Sequence, residues 1–216
     1  QETVLVSYHS KMNGQQVEEA CGIPLYPISA KDAYNADAST HDIVDEAINL
    51  FRANILFKNY KIQGGGDRAI IYLTCFIQKC LEQILRFPQQ DQATRIAEIV
   101  ADPKAIDIGS NGFFMNKLGL MKASNNPAEK RKCTDQLKKM MEECSKRLLE
   151  MLYRDQEGEL NRKFWLGMGK KPFLGQKFVD KQYQNDSSHT LAIGNISFLL
   201  IISSEKNYSH GVLGFW

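Results

Sequence analysis

Cysteine is scarce and unpatterned in this 216-residue chain, with five residues at 21, 75, 80, 133 and 144, odd in number and irregularly spaced. That spacing excludes a disulfide framework and favours a reducing compartment, the cytoplasm. No Cys-x2-Cys occurs, and His9, His41, His189 and His210 lie far from one another and from any cysteine, so the clustered ligands of a zinc site are missing. Long apolar runs are also lacking. The longest, Leu191 to Ser203, is interrupted by Asn195 and falls short of the roughly 18 to 20 residues of a bilayer-spanning helix. Val4 to Tyr8 has neither the length nor the flanks of a secretory signal, so no membrane insertion is expected. Charge of one sign is not in excess: 27 Lys and Arg stand against 25 Asp and Glu, a net +2, too little for a dedicated nucleic-acid binder. Fifteen Gly and 6 Pro exclude collagen-like and low-complexity chains.

The chemical motifs are equally sparse. There is no Gly-x-Ser-x-Gly elbow and no His-Glu-x-x-His pair. Gly64-Gly65-Gly66-Asp67-Arg68 follows a helical pattern and lacks the P-loop lysine, so it reads as a flexible interhelical loop. Cys75 and Cys80, about 140° apart on one helix, have no neighbouring base to form a thiolate. They read as buried, inert thiols rather than nucleophiles. The carboxylate pairs Asp45-Glu46, Glu142-Glu143 and Glu157/Glu159 fall on expected exposed faces or loops. No catalytic site, no metal and no cofactor are expected.

What is present is helical periodicity. After Ser39-Thr40, an expected cap, Ile43, Val44, Ala47, Ile48, Phe51, Ile55 and Leu56 recur at helical spacing, with Asp42, Asp45 and Glu46 in the first turn. Asp67 is placed to cap a second helix carrying Ile70, Ile71, Leu73, Ile77, Cys80, Leu81 and Ile84, which ends before Pro88 and has the wide apolar face of a central helix. A third stretch, Gln92 to Ala101, turns Ile96, Ile99 and Val100 inward. Residues 103 to 126 form an irregular connection anchored by Phe113, Phe114, Met115, Leu118 and Leu120. Asn126, Pro127 and Glu129 then match a capping box with proline at the first helical position. The long helix that follows buries Leu137, Met140, Met141, Cys144, Leu148, Met151 and Leu152. Lys130, Arg131, Lys132, Lys138, Lys139, Lys146 and Arg147 are assigned to its polar face.

The fold class is therefore all-α: a compact single-domain helical bundle with irregular N-terminal and C-terminal segments. Ile48, Phe51, Ile77 and Leu81 are expected to face one another in a helix pair. Residues 1–178 form the helical domain. Residues 179–216 read as an appended tail, either a lineage-specific extension or the product of a misread gene boundary, and its Asn-x-Ser sequons at Asn185, Asn195 and Asn207 as chance matches.

Charge is unevenly spread. Residues 1 to 60 carry 4 basic and 8 acidic side chains, whereas residues 121 to 181 carry 15 and 9, which suits an acidic partner surface. Arg162 to Lys177 alternates bases with large aromatics, although Gly167, Gly169 and Pro172 argue against helix throughout. Arg162, Lys163, Trp165, Lys170, Lys171 and Lys177 are the candidate partner-binding residues, with Trp165 either a large contact or packed inward to fix the chain end. The same basic and aromatic character admits an alternative, a basic helical adaptor for anionic membrane or RNA.

Several motifs resemble one family, subunit 3 of the actin-related protein 2/3 complex. They are Tyr8-His9-Ser10, the run Ile23 to Ile28 (IPLYPI), Asp42 to Ile48 (DIVDEAI), Phe51 to Ile62 (FRANILFKNYKI), Asp67-Arg68 with Ile71 to Thr74 (IYLT), and Cys80-Leu81. Gly112-Phe113-Phe114-Met115-Asn116 resembles the family's Gly-Phe-Pro-Leu-Asn but has Phe114 in place of the proline. Phe164-Trp165 with Lys170-Lys171-Pro172-Phe173 is similar to the family's aromatic and basic C-terminus. The resemblance spans residues 7 to 178. It implies a mostly helical, non-catalytic structural subunit of the cytoplasmic actin cytoskeleton that docks on actin-related protein 3. Actin filaments would be reached through the complex, and ATP would be held by the actin-related subunits.

Overall fold

The computed structural model describes residues 7–31, 41–57, 59–88, 91–102, 106–108, 110, 113–153 and 158–174, all within the unit Gln1–Phe178. Its first element is a small antiparallel hairpin, β1 (Glu19–Ala20) and β2 (Ile23–Pro24), paired Glu19 with Pro24 and Ala20 with Ile23. Cys21 and Gly22, with φ of 51° and 81°, make the two-residue turn whose twist matches the strands it joins. Strands this short have no apolar period, and the sequence gives no sign of them.

Helix α1 (Ile43–Asn54) buries Ile43, Val44, Ala47, Ile48 and Phe51. Its cap is Asp42, whose carboxylate accepts from the N–H groups of Val44 and Asp45 at 3.0 and 3.1 Å. The expected cap, Ser39-Thr40, lies outside the described residues. The helix ends at Asn54, two residues before the end of its apolar pattern, and Leu56 is 58% exposed.

Helix α2 (Gly65–Arg86) is central and packs against α1, the hairpin strand β2 and all the later long helices. Ile77 and Leu81 are buried on it, as Ile48 and Phe51 are on α1, and the two helices pack against each other. The glycines at its start are not a loose loop. A Cβ on Gly65 would lie 2.4 Å from Pro24 Cγ, and one on Gly66 2.6 Å from Ser10 Oγ, so only glycine lets the N-terminal segment close over this helix end. Gly64 occupies the cap position, and Asp67 sits inside the first turn. The Asp67 carboxylate accepts from Gln63 N–H at 2.8 Å, Ser10 N–H at 2.9 Å and Asn13 Nδ2 at 2.9 Å, with His9 Nδ1 at 2.8 Å. Burial alone would raise its pKa, but these hydrogen bonds outweigh burial and hold it below the usual carboxylate range.

Helix α3 (Gln92–Ala101), capped by Asp91, matches its expected span and buries Ile96. A single turn, α4 (Phe114–Lys117), interrupts the irregular connection. Phe114 begins it and stacks on Tyr72 at 5.9 Å between centroids, while Phe113 is buried beside it. Helix α5 (Pro127–Tyr153) starts where expected, and Asn126 Oδ1 accepts from Ala128 N–H at 2.9 Å. Only half of the capping box forms. Glu129 turns away and accepts from Cys21 N–H at 2.8 Å and from the Ser124 hydroxyl, tying the hairpin to the helix. Helix α6 (Gly158–Gly169) packs on α2 and α5.

Three charges assigned to solvent are inside. Arg147 has no exposed surface. Its Nη1 donates to Asp42 Oδ1 at 2.6 Å and Asp45 Oδ1 at 2.8 Å, and its Nη2 donates to the Ser29 carbonyl at 2.6 Å. Asp45 also binds Lys31, and buried Glu143 pairs with Lys146 at 2.9 Å. Burial raises the Asp42 pKa, but the hydrogen bonds and charge of Arg147 and the bonds from Asp45 and Ser29 N–H more than offset it, leaving it lowered. The cluster is reached from α1, α5 and the segment around Ser29, so it fixes all three together.

Candidate partner-binding surface

The aromatic and basic residues of α6 separate into two layers because successive helix positions turn about 100°. Trp165 faces inward. It is 4% exposed, and its ring stacks on Phe51 of α1 at 5.0 Å between centroids and 7° between planes. Of its two possible placements the structure shows the inward one. Phe173, beyond the helix end, has no exposed surface. Gly169 sets the helix depth, since a Cβ there would lie 2.7 Å from Leu81 Cβ. Gly167 lies within α6 and Gly169 is its last residue, so the helix stops before Pro172 and does not run through the whole stretch, in line with the expectation from composition. Gly167 faces open space.

The outer layer contains Phe164, 42% exposed, and the exposed Lys163. Arg52, in the last turn of α1, places its guanidinium 4.2 Å from the Phe164 ring centroid. Arg162 lies half-buried with its guanidinium 5.1 Å from the Tyr153 ring centroid at the end of α5. Each such cation over an aromatic face contributes on the order of 0.5–1 kcal/mol at an exposed site. Lys170 and Lys171 are exposed just past the helix. Their backbone is pinned, with the Lys171 carbonyl accepting from Gln78 Nε2 and Leu174 N–H donating to the Phe57 carbonyl at 3.3 Å. Lys177 lies outside the described residues.

Two more exposed apolar side chains lie near the C-terminal end of α1. Leu56 follows Arg52 by one turn. Tyr8, 57% exposed, is held there by its backbone, since its N–H donates to Asn54 Oδ1 at 3.0 Å and its carbonyl accepts from Asn54 Nδ2 at 2.9 Å. Tyr8, Leu56, Tyr153 and Phe164 are the large hydrophobic side chains left exposed among the described residues. Phe164 packs under Arg52 in the last turn of α1, and Leu56 and the Tyr8 backbone lie at the end of the same helix. Exposed aromatic and aliphatic groups rimmed by arginine and lysine are what protein interfaces use as anchors. Sequence reasoning did not single out Arg52, Leu56 or Tyr8 as exposed candidates. The available signal was Arg52, which falls outside the buried stripe of α1 one turn before Leu56.

Other chemistry is absent from the described residues. No three His, Cys, Asp or Glu side chains come together as metal ligands. Cys75 and Cys80 are buried, and desolvation pushes both thiols well above their ordinary value, away from nucleophilic reactivity. No described helix is long and apolar enough to cross a membrane. The run Leu191 to Ser203 and the three sequons lie outside the described residues.

Comparison with known proteins gives one consistent family. The family model described as P21-Arc, the ARP2/3 complex ARPC3 (21 kDa) subunit, matches residues 5–178. Three relatives carry the name actin-related protein 2/3 complex subunit 3. That of Dictyostelium discoideum is 32% identical over 178 residues, covering 78% of this chain and 98% of the relative. That of Schizosaccharomyces pombe is 32% identical over 174 residues, covering 79% and 98%. That of Arabidopsis thaliana is 36% identical over 172 residues, covering 77% and 96%.

Proposed function

This chain belongs to the ARPC3 family of ARP2/3 complex subunits, whose members are structural and non-catalytic, and on that premise we propose that it docks on actin-related protein 3 and helps hold the complex together as it nucleates branched actin filaments. The observation that carries the reading is the extent of the family match. It runs from residue 5 to 178 and so includes every described helix and the whole core. A site in the cytoplasmic actin cytoskeleton belongs to the same reading, and contact with actin filaments is made through the complex.

The docking face is the surface built on α6 and the end of α1. Lys163, Lys170, Lys171 and Arg52 supply positive charge suited to the acidic surface of an actin-like protein, and Phe164, Leu56 and Tyr8 supply apolar area. Arg162 positions Tyr153 at the edge of this face. Trp165 acts behind it, fixing α6 on Phe51 rather than touching the partner. Residues 1–178 are the functional domain in this reading, and 179–216 is an addition to it.

Affinity purification of the tagged full chain, read by mass spectrometry, tests the function. The other subunits of the complex should co-purify in comparable amounts after nuclease and detergent treatment. Recovery that depended on RNA or anionic lipid and fell steeply with salt, with no actin-related subunit present, would instead support the basic-adaptor reading.

A further inference from the structure

Asn54, the last residue of α1, has no exposed surface, and both ends of its side-chain amide are spent on the backbone of one exposed residue. Its Oδ1 accepts from Tyr8 N–H at 3.0 Å, and its Nδ2 donates to the Tyr8 carbonyl at 2.9 Å. The Tyr60 hydroxyl donates to the same carbonyl at 2.7 Å. The chain that follows is held just as firmly. Ser10 N–H donates to Asp67, and the Ser10 hydroxyl donates to Glu46 Oε2 at 2.6 Å. An irregular segment is thereby fixed to the ends of α1 and α2 through its backbone and its small polar side chains. None of these bonds uses the Tyr8 side chain, so the fold asks nothing of it. Of the three exposed aromatics, Phe164 and Tyr153 each have an arginine over the ring, whereas the Tyr8 ring and hydroxyl meet no ion, ring or hydrogen-bond partner among the described residues.

We infer that Tyr8 is the anchor of the docking face and that Asn54 is the residue that positions it, an inference that rests on the docking face proposed above. A large aromatic side chain on a backbone already immobilised loses little further freedom when a partner closes over it, which is the condition under which a single residue dominates an interface. The side chain also specifies what it fits. Its ring calls for an apolar pocket, and its phenol, a donor with no partner, calls for an acceptor at the end of that pocket. On an acidic protein surface that acceptor is a carboxylate, the same chemistry that suits Arg52 in the last turn of α1 and Lys163 on α6. The partner is therefore an acidic protein surface with an aromatic-sized apolar pocket ending in a carboxylate. Asn54 contributes without touching the partner, since it acts only through the Tyr8 backbone.

The test measures incorporation of the full chain into the complex at limiting subunit concentration, beside the melting temperature of the isolated chain. Tyr8→Ala should lower incorporation at least about tenfold and shift the melting temperature by no more than about 2 °C, as an exposed side chain should. Tyr8→Phe keeps the ring and loses the donor, so its incorporation should fall between the two. Asn54→Ala releases the Tyr8 backbone and should also lower incorporation, but in a chain already carrying Tyr8→Ala it should lower it no further. Tyr60→Phe, a milder change that removes the third bond to the Tyr8 carbonyl, should show the same dependence on Tyr8. Losses from Asn54→Ala and Tyr60→Phe that are independent of Tyr8 would overturn the positioning role. Normal incorporation of Tyr8→Ala would overturn the anchor, and the Lys170→Glu, Lys171→Glu chain run in parallel separates the two ways of failing. If that chain is lost from the complex, the docking face stands without this anchor; if it too incorporates normally, the docking face falls as well.

Discussion

Arg147 heads the fully buried side chains by volume, and its stability rests on having two carboxylates and a carbonyl in reach. Arg147→Met should cost about 3–5 kcal/mol in urea unfolding, because Asp42 would remain buried without its cation and Asp45 would keep only Lys31. The same carboxylates set an acid limit. Asp42 and Asp67 are held below their ordinary range in the fold, so the unfolded chain binds more protons between the two values. Their contribution is complete above the unfolded carboxylate pKa of about 4 and is lost as pH falls through the folded values. Melting temperature should therefore be flat from pH 7 to about 5 and fall steeply below about 4. The Asp67→Asn variant should have a lower melting temperature at pH 7 and a shallower acid decline. These charges were hard to read because their partners are remote in sequence. Position was nevertheless informative, since Arg147 falls three residues after Cys144 and one before Leu148, within the buried stripe.

At the scale of elements, α1, α2, α3 and α5 were legible because each has an apolar stripe of helical period that decides its buried face. Ile77→Ala on α2 should cost on the order of 2–4 kcal/mol, while Lys139→Ala on the exposed side of α5 should change stability by under about 0.5 kcal/mol. Glycine is where the sequence reading failed, since composition marks a possible break but not what lies opposite. Gly65 and Gly66 are close contacts, and Gly169 meets Leu81. Gly169→Ala should destabilise by about 1–3 kcal/mol through overpacking, whereas Gly167→Ala, facing open space, should be neutral or stabilise by up to about 1 kcal/mol. Thermal melts of the two single variants make the comparison. The hairpin and the outward turn of Leu56 were not legible for a related reason, as both depend on what the chain meets in three dimensions.

For the whole molecule, the basic bias of the C-terminal half was legible in the sequence, but the division of its aromatics between core and surface was not. Inward and outward aromatics are adjacent in sequence, Phe164 beside Trp165, and only the packing of α6 on Phe51 separates them. Trp165→Ala should therefore act through the fold, lowering stability by about 3–5 kcal/mol. Phe164→Ala should leave stability within about 1 kcal/mol and act on assembly. The most direct measurement is incorporation of the full chain carrying Lys170→Glu and Lys171→Glu into the complex at limiting subunit concentration, alongside its melting temperature in isolation. The account requires incorporation to fall at least about tenfold, the equivalent of about 1.4 kcal/mol, while the melting temperature stays nearly unchanged, because exposed charges contribute little to folding. Undiminished incorporation would contradict it and move the docking surface elsewhere on the molecule.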